Sequence, residues 1–169
     1  MRRILVWIAV LVVAAALIWW TQLRPQETRV TVFFVGTADG AGTMVPVQRT
    51  VQGRGAQELL RGAFDALLAG PTAEERAKGL TTEIPAGTRL RGLSVREGVV
   101  TVDLSEAVGS GGGSSSMQGR LWQIVYTGTV LPAARQVRLI IEGEERQALG
   151  GEGLMIDRPI ARPPTYPRF

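Results

Sequence analysis

The sequence predicts an α+β domain: a small mixed or antiparallel sheet with two helices packed on one face, in the order β-α-β-β-α-β, preceded by one N-terminal transmembrane helix. Three observations predict it. An unbroken apolar run opens the chain. Two later segments carry apolar residues at helical spacing. Short stretches around them alternate apolar and polar residues, the period of a half-buried strand.

The opening run, MRRILVWIAVLVVAAALIWWTQLRP, has Arg2 and Arg3 as a positive flank, then Ile4 to Trp20 without a polar residue, extended uncharged to Leu23. About 20 helical residues span the roughly 30 Å of a hydrocarbon core. Trp19 and Trp20 fall where an interfacial aromatic belt belongs, and Pro25 ends the helix. Ala14-Ala15-Ala16 offers a cleavage site after a shorter apolar core. Cleavage there would leave Leu17 to Trp20 as an apolar new terminus, which favours an uncleaved signal anchor. The positive flank stays inside, so the expected location is a single pass through the cytoplasmic membrane with the C-terminal domain extracytoplasmic. The expected division is anchor 1–24, domain 25–157 and proline-rich tail 158–169.

Val30, Val32 and Phe34 alternate in a strand covered on both faces. Gly36 to Gly42 reads as a loop, and Met44 to Val51, interrupted by Pro46, as a short edge strand. Ala56, Leu59, Leu60, Ala63, Phe64, Leu67 and Leu68 form one apolar helical stripe, stopped by Gly70 and Pro71. Thr72 to Glu75 has capping-box spacing and opens a short helix that Gly79 closes. Ile84-Pro85-Ala86-Gly87 is a turn. Leu93 and Val95, then Val100, Val102 and Leu104, flank Arg96-Glu97-Gly98 as a hairpin. Met117, Leu121, Ile124, Val125 and Gly128 make the second helical stripe. Val137, Leu139 and Ile141 are the last strong strand, with Glu142-Gly143-Glu144 turning the chain and Met155-Ile156 a further short pairing. From Arg158 on, Pro159, Pro163, Pro164 and Pro167 predict an extended tail that does not pack.

Composition narrows the chemistry. There is no Cys and no His, which removes disulfides, thiolate metal sites, a Cys nucleophile and the commonest general base. The net charge is +4, but setting Arg2 and Arg3 apart leaves 17 basic against 15 acidic residues, too even to point to nucleic acid.

The segment GSGGGSSSMQGRLWQIVYT, residues 109–127, raises the question of a phosphate cradle. A P-loop needs GxxxxGK[ST], and no Lys follows these glycines. GxGxxG fits only with Ser114 in a glycine position, and no acidic partner follows about 20 residues later. Ser115 and Gln118 have capping-box spacing, so the expectation is a mobile loop feeding a helix capped by Ser115. Asp103 with Glu106, or Glu142, Glu144 and Glu145, are the conceivable acid–base carboxylates. Asp103 is read instead as an acceptor for main-chain N–H groups at a strand end, and the glutamates as a solvated turn. A Ser–Lys nucleophile would depend on Lys78, the only Lys, on an exposed turn. No D-x-D-x-D calcium spacing occurs. The expectation is no catalytic residue, cofactor or metal. Trp122 and Tyr126, four apart and off the main stripe, are candidates for partner contact as an exposed aromatic ridge, or else pack under a loop.

MVPVQRTV, LLAGPTAEERAKGLTTEIPAGTRL, GVVTVDLS, QIVYTGT and VRLIIEG occur in this order and together resemble the GerMN family of sporulation and spore germination proteins. The landmarks are Gly70, Pro71, Gly79, Leu80, Ile84, Pro85, Gly87, Asp103, Thr127 and Gly143. The resemblance implies a fold similar to the ring-building motifs of secretion and sporulation assemblies. It also implies a non-enzymatic binding or scaffold role in the cell envelope, with an envelope protein or a second copy as partner and peptidoglycan as the second candidate. The chain departs from the family in its single copy, its lack of a lipobox Cys and its Gly128 where Leu is usual.

Overall fold

The computed structural model describes residues 26–151 and 153–169. The apolar run 4–23 lies outside them; among the described residues no helix is long and apolar enough to cross a membrane.

The chain begins with two twelve-residue antiparallel strands, β1 (Glu27–Ala38) and β2 (Ala41–Gln52). Asp39 and Gly40 join them with φ of 51° and 79°. Positive φ at both turn positions makes a two-residue turn of the type that matches strand twist, and Asp-Gly is a favoured pair for it. The expected loop 36–42 is therefore mostly strand. Phe33 faces Pro46 across the ribbon, and among the described residues β2 has no second strand partner, which suits a strand containing proline.

Helix α1 (Ala56–Ala69) buries Leu60, Ala63, Phe64 and Leu67, four members of the predicted stripe. Gly70, at φ 79°, returns its N–H to the Leu67 carbonyl. In α2 (Ala73–Ala77) the predicted capping box forms: Glu75 N–H donates to Thr72 Oγ1, and Thr72 N–H donates to Glu75 Oε2. Both Glu75 oxygens also accept from Arg49 on β2, at 2.6 Å each. This fork ties α2 to the ribbon. It holds the Glu75 carboxyl down at about 2, with the Arg49 hydrogen bond as the largest cause.

Strands β3 (Leu90–Arg96) and β4 (Val99–Leu104) form the predicted hairpin, with a two-residue turn at Glu97 and Gly98, φ 51° and 82°. Helix α3 (Ser114–Gly128) then carries the chain to β5 (Gln136–Ile141), which pairs parallel to β4. A parallel neighbour needs such a crossover. The short strands β6 (Ala148–Leu149) and β7 (Leu154–Met155) pair with each other. β8 (Ile160–Ala161) adds antiparallel to β5, giving a mixed sheet of order β3-β4-β5-β8.

The expectation of one sheet is corrected here: β1 joins no strand of the four-stranded sheet, and the β1–β2 ribbon stands as a separate sheet. Helices α1 and α3 contact the ribbon as well as the sheet. Their stripes bury Val100, Val102, Leu104, Val137, Leu139 and Ile141 in one core with Val30, Val32 and Phe34 of β1. A Cβ at Gly128 would sit 2.5 Å from Val137 Cγ2, so this departure from the family pattern lets α3 lie close on β5.

The β1 edge turned away from β2 is closed by side chains and a loop. Phe33 N–H donates to Thr127 Oγ1 at 3.2 Å, and Gln123 Nε2 donates to the Phe33 carbonyl at 3.1 Å. Two residues on, Val35 exchanges both main-chain hydrogen bonds with Thr81, at 2.9 and 2.8 Å. The other end of the Gln123 amide accepts from Glu83 N–H at 2.8 Å. Gln123 and Thr127 are wholly buried.

Two outcomes follow for stability. Gln123→Leu leaves the Phe33 carbonyl and the Glu83 N–H without this partner. At about 1–3 kcal/mol for a stranded buried group, it should lower unfolding free energy by roughly 2–4 kcal/mol in urea titrations; a change under about 0.5 kcal/mol would refute the assignment. Glu75 is depressed in the fold, so its contribution is fully present above the unfolded value of 4.5 and lost as pH falls through 4.5 towards 2. Allowing for solvent screening, Glu75→Gln should cost about 1–2 kcal/mol at neutral pH and flatten the acid limb of the stability profile between those values.

Candidate functional site

The glycine–serine segment is organised around Arg120, which is only 2% exposed. After a single 3-10 turn (Glu106–Gly109), Gly111 and Gly112 take φ of 64° and 82° and bend the main chain back over α3. Arg120 then donates to the carbonyls of Glu83, Val108, Ser110 and Gly111 at 3.0, 2.5, 3.2 and 3.1 Å. Burial pushes the guanidinium down from its usual value, and the Glu83 carboxylate opposes that shift. A phosphate cradle aims N–H groups at an anion. Here carbonyl oxygens converge on a cation, the reverse polarity, and the chain's own Arg fills the space. The loop expected to be mobile is thus pinned at its Ser110 and Gly111 carbonyls and, just before it, at Val108. The expected capping box is also absent: α3 starts at Ser114 with Gly113 as its N-cap, so Ser115 already lies inside the helix. Ser116, one residue on, donates to Glu83 Oε2 at 2.7 Å.

The predicted landmarks fall into three places. Gly70, Pro71, Leu80 and Ile84 line one groove of about 380 Å³, shared with Leu68 and Arg76. Gly79 and Gly87 shape its approaches at φ 85° and 86°, and Pro85 accepts the Thr88 hydroxyl. Asp103 does what the sequence suggested: its Oδ1 accepts Gly143 N–H at 3.0 Å, tying the end of β4 to the turn after β5. Thr127 lies apart, on α3, where its hydroxyl meets Phe33 of β1.

The conceivable acid–base carboxylates are brought together, but with arginines between them. Arg91 reaches Asp103 at 3.5 Å and Glu142 at 2.6 Å. Glu142 also accepts Glu106 N–H, Arg146 pairs with Glu144 at 3.1 Å, and Arg138 pairs with Glu145 at 2.9 Å. This is a half-exposed surface network in which three arginines lace five carboxylates. Among the described residues no group of three or more carboxylates is placed to share a metal ion.

Trp122 and Tyr126 do not make an exposed ridge. Tyr126 is 1% exposed and Trp122 is half-buried against it, with ring centroids 6.4 Å apart. What covers Tyr126 is the segment expected to be an unpacked tail. The Tyr126 hydroxyl donates towards the carbonyls of Pro163 and Thr165, at 3.2 and 2.9 Å. Burial pushes this hydroxyl up, against the Arg162 charge. Arg162 lies over the Phe33 and Tyr126 rings at 5.3 and 4.9 Å and donates to the Tyr126 carbonyl at 2.7 Å. With Pro163, Pro164, Thr165 and Tyr166 these two residues line a second groove of about 420 Å³. The segment is extended, as its prolines require, yet it is packed.

Arg120 and Gln123 were not singled out in the sequence. Their signal was available: Arg120, Gln123 and Thr127 make a polar row at i, i+3 and i+7 on a helix otherwise buried by apolar residues.

The fold is similar to the tandem GerMN domains of the sporulation protein GerM from Bacillus subtilis, at 22% identity and TM-score 0.66, covering 81% of this chain and 46% of that one. The chain therefore spans about half the length of that tandem structure. The first GerMN domain of the same protein matches at 18% identity and TM-score 0.62, over 80% of this chain and 98% of that one. A putative lipoprotein from Clostridium perfringens matches at 20% identity and TM-score 0.59, over 80% and 88%. A search of curated protein sequences finds no match. Residues 31–147 match the Germane family, described as sporulation and spore germination. That match covers more than half of the sequence and includes both helices and the β3-β4-β5 sheet, so the chain belongs to the Germane family.

Proposed function

We propose that this chain is a non-enzymatic binding or scaffold module of the bacterial cell envelope, tethered by its N-terminal apolar segment and displayed outside the cytoplasmic membrane. The observation that carries the reading is how the buried polar side chains are spent. Arg120, Gln123, Thr127 and Ser105 all hydrogen-bond main-chain groups of neighbouring segments. These are the bonds of a rigid frame, and they leave the outer surfaces to do the work. Family membership supports a place in sporulation, germination or related envelope complexes. The apolar run with its Arg2-Arg3 flank supports the tether. The partner is an envelope protein or a second copy, with peptidoglycan as the alternative ligand.

In protoplasts of the native host, added protease should digest the domain while a cytoplasmic marker survives. Crosslinking in intact membranes should give a discrete adduct larger than the monomer. Protection from external protease would overturn the location, and recovery of monomer alone would overturn the scaffold role. Sedimentation with purified peptidoglycan above a control protein would transfer the role to the wall polymer.

A further inference from the structure

We propose that the groove between α3 and the turn end of the β1–β2 ribbon is a docking site for an extended peptide with a Tyr-Pro-Arg-Phe pattern, and that residues 162–169 are its resident occupant. This deepens the binding-module reading above and rests on it.

The groove is built for a ring. The Phe169 side chain lies on a floor made by two glycines from different elements. A Cβ at Gly42 would sit 2.7 Å from Phe169 Cε2, and one at Gly119 would sit 2.5 Å from the same atom. Any side chain at either place would fill the space the ring takes. The main chain is recognised beside it. Gly42 N–H donates to the Phe169 carbonyl at 2.8 Å, and Phe169 N–H returns to the Gly42 carbonyl at 3.2 Å. Such a two-bond bridge adds a peptide to a strand edge. Arg168 meets Asp39 of the ribbon turn at 3.2 Å. Tyr166 leans on Tyr126 and Phe33, with centroids 5.3 and 6.1 Å apart. Upstream, the Tyr126 hydroxyl addresses carbonyls, which any peptide carries.

Two features mark the segment as an occupant of the groove. It lies outside the span 31–147 shared with the family. It also lies across the surface, leaving Tyr166 48% exposed and Arg168 exposed. A partner strand with the same order of rings and charge meets the same donors, acceptors and pocket, and it binds by displacing the chain's own segment.

The test uses the full chain in detergent micelles and a fluorescein-labelled synthetic peptide of residues 162–169, read by anisotropy. Removing the resident ring with Phe169→Ala frees the pocket, so the peptide should bind that variant at least about tenfold more tightly than the unaltered chain. A peptide with Ala in place of Phe169 should lose that gain, and adding Gly119→Val should abolish it. The proposal is overturned if the variant melts cooperatively yet binds neither peptide, or binds both alike. Hydrogen exchange on the unaltered chain decides independently of any variant. The Gly42 amide, bonded to Phe169, should exchange at least about tenfold faster than the Val35 amide, bonded to Thr81, showing that the segment lifts while the outer edge of β1 stays closed. Equal protection of the two would make the segment an integral part of the fold and overturn the docking role. Peptide binding in micelles is independent of cellular location, so failure here leaves the envelope reading standing, and failure of the protease experiment leaves the groove standing.

Discussion

The Phe33 main chain sets the terms for the rest of the molecule. It sits in a strand buried on both faces, with β2 on one side only. A buried peptide group without a partner costs about 1–3 kcal/mol, and Phe33 is only 3% exposed. Thr127, Gln123 and Thr81 supply the missing partners from a helix and a loop. Each of these elements is then fixed in place by the need to meet the strand. The Gln123 amide has bonds at both ends, so α3, the 81–84 loop and β1 share one register. The hydrophobic core gives the packing its magnitude, and this polar seam gives it a single arrangement.

The second buried polar centre does similar work at the other end of the crossover. Arg120 gathers the carbonyls of Val108, Ser110, Gly111 and Glu83 around one cation. Glu83 contributes to both centres, its N–H to Gln123 and its carbonyl to Arg120. The 81–84 loop is therefore a strut between them, although its own residues have no regular secondary structure beyond the bridge at Thr81.

What was legible in the sequence was local. The α1 stripe, the Thr72–Glu75 box, the β3–β4 hairpin and Asp103 as a strand-end acceptor each depend on residues close together in the chain or on a side chain's own habits, and each was readable. The Asp39-Gly40 pair carried a hairpin signal that the surrounding glycines hid. The separation of the ribbon from the main sheet depends on which strands meet after folding, and alternation alone carries no information on that. The glycine–serine loop, expected to be mobile, is held for a related reason: glycine content reports the freedom of a main chain but not what a distant side chain does to it. Here the pin is Arg120, on the following helix. Prolines likewise predicted extension after residue 158, while the packing came from Tyr126, 40 residues upstream of Tyr166.

The pairing of Phe33 with Pro46 reaches beyond the ribbon's own stability. Antiparallel neighbours alternate between residues that bond each other and residues whose polar groups turn outward. Phe33 turns away from β2, so Pro46 turns away from β1, and the outer edge of β2 lacks an N–H at its midpoint. Gly42 on the same edge is already bonded to Phe169, and the Gln48 carbonyl accepts Arg49 Nη1. A foreign strand laid along this twelve-residue edge would meet an interruption within a few residues from either end. A long exposed ribbon is ordinarily a template for sheet growth between molecules. In this chain proline chemistry confines any strand addition to a short step near the turn, and crowding many copies together does not by itself zip them into a sheet.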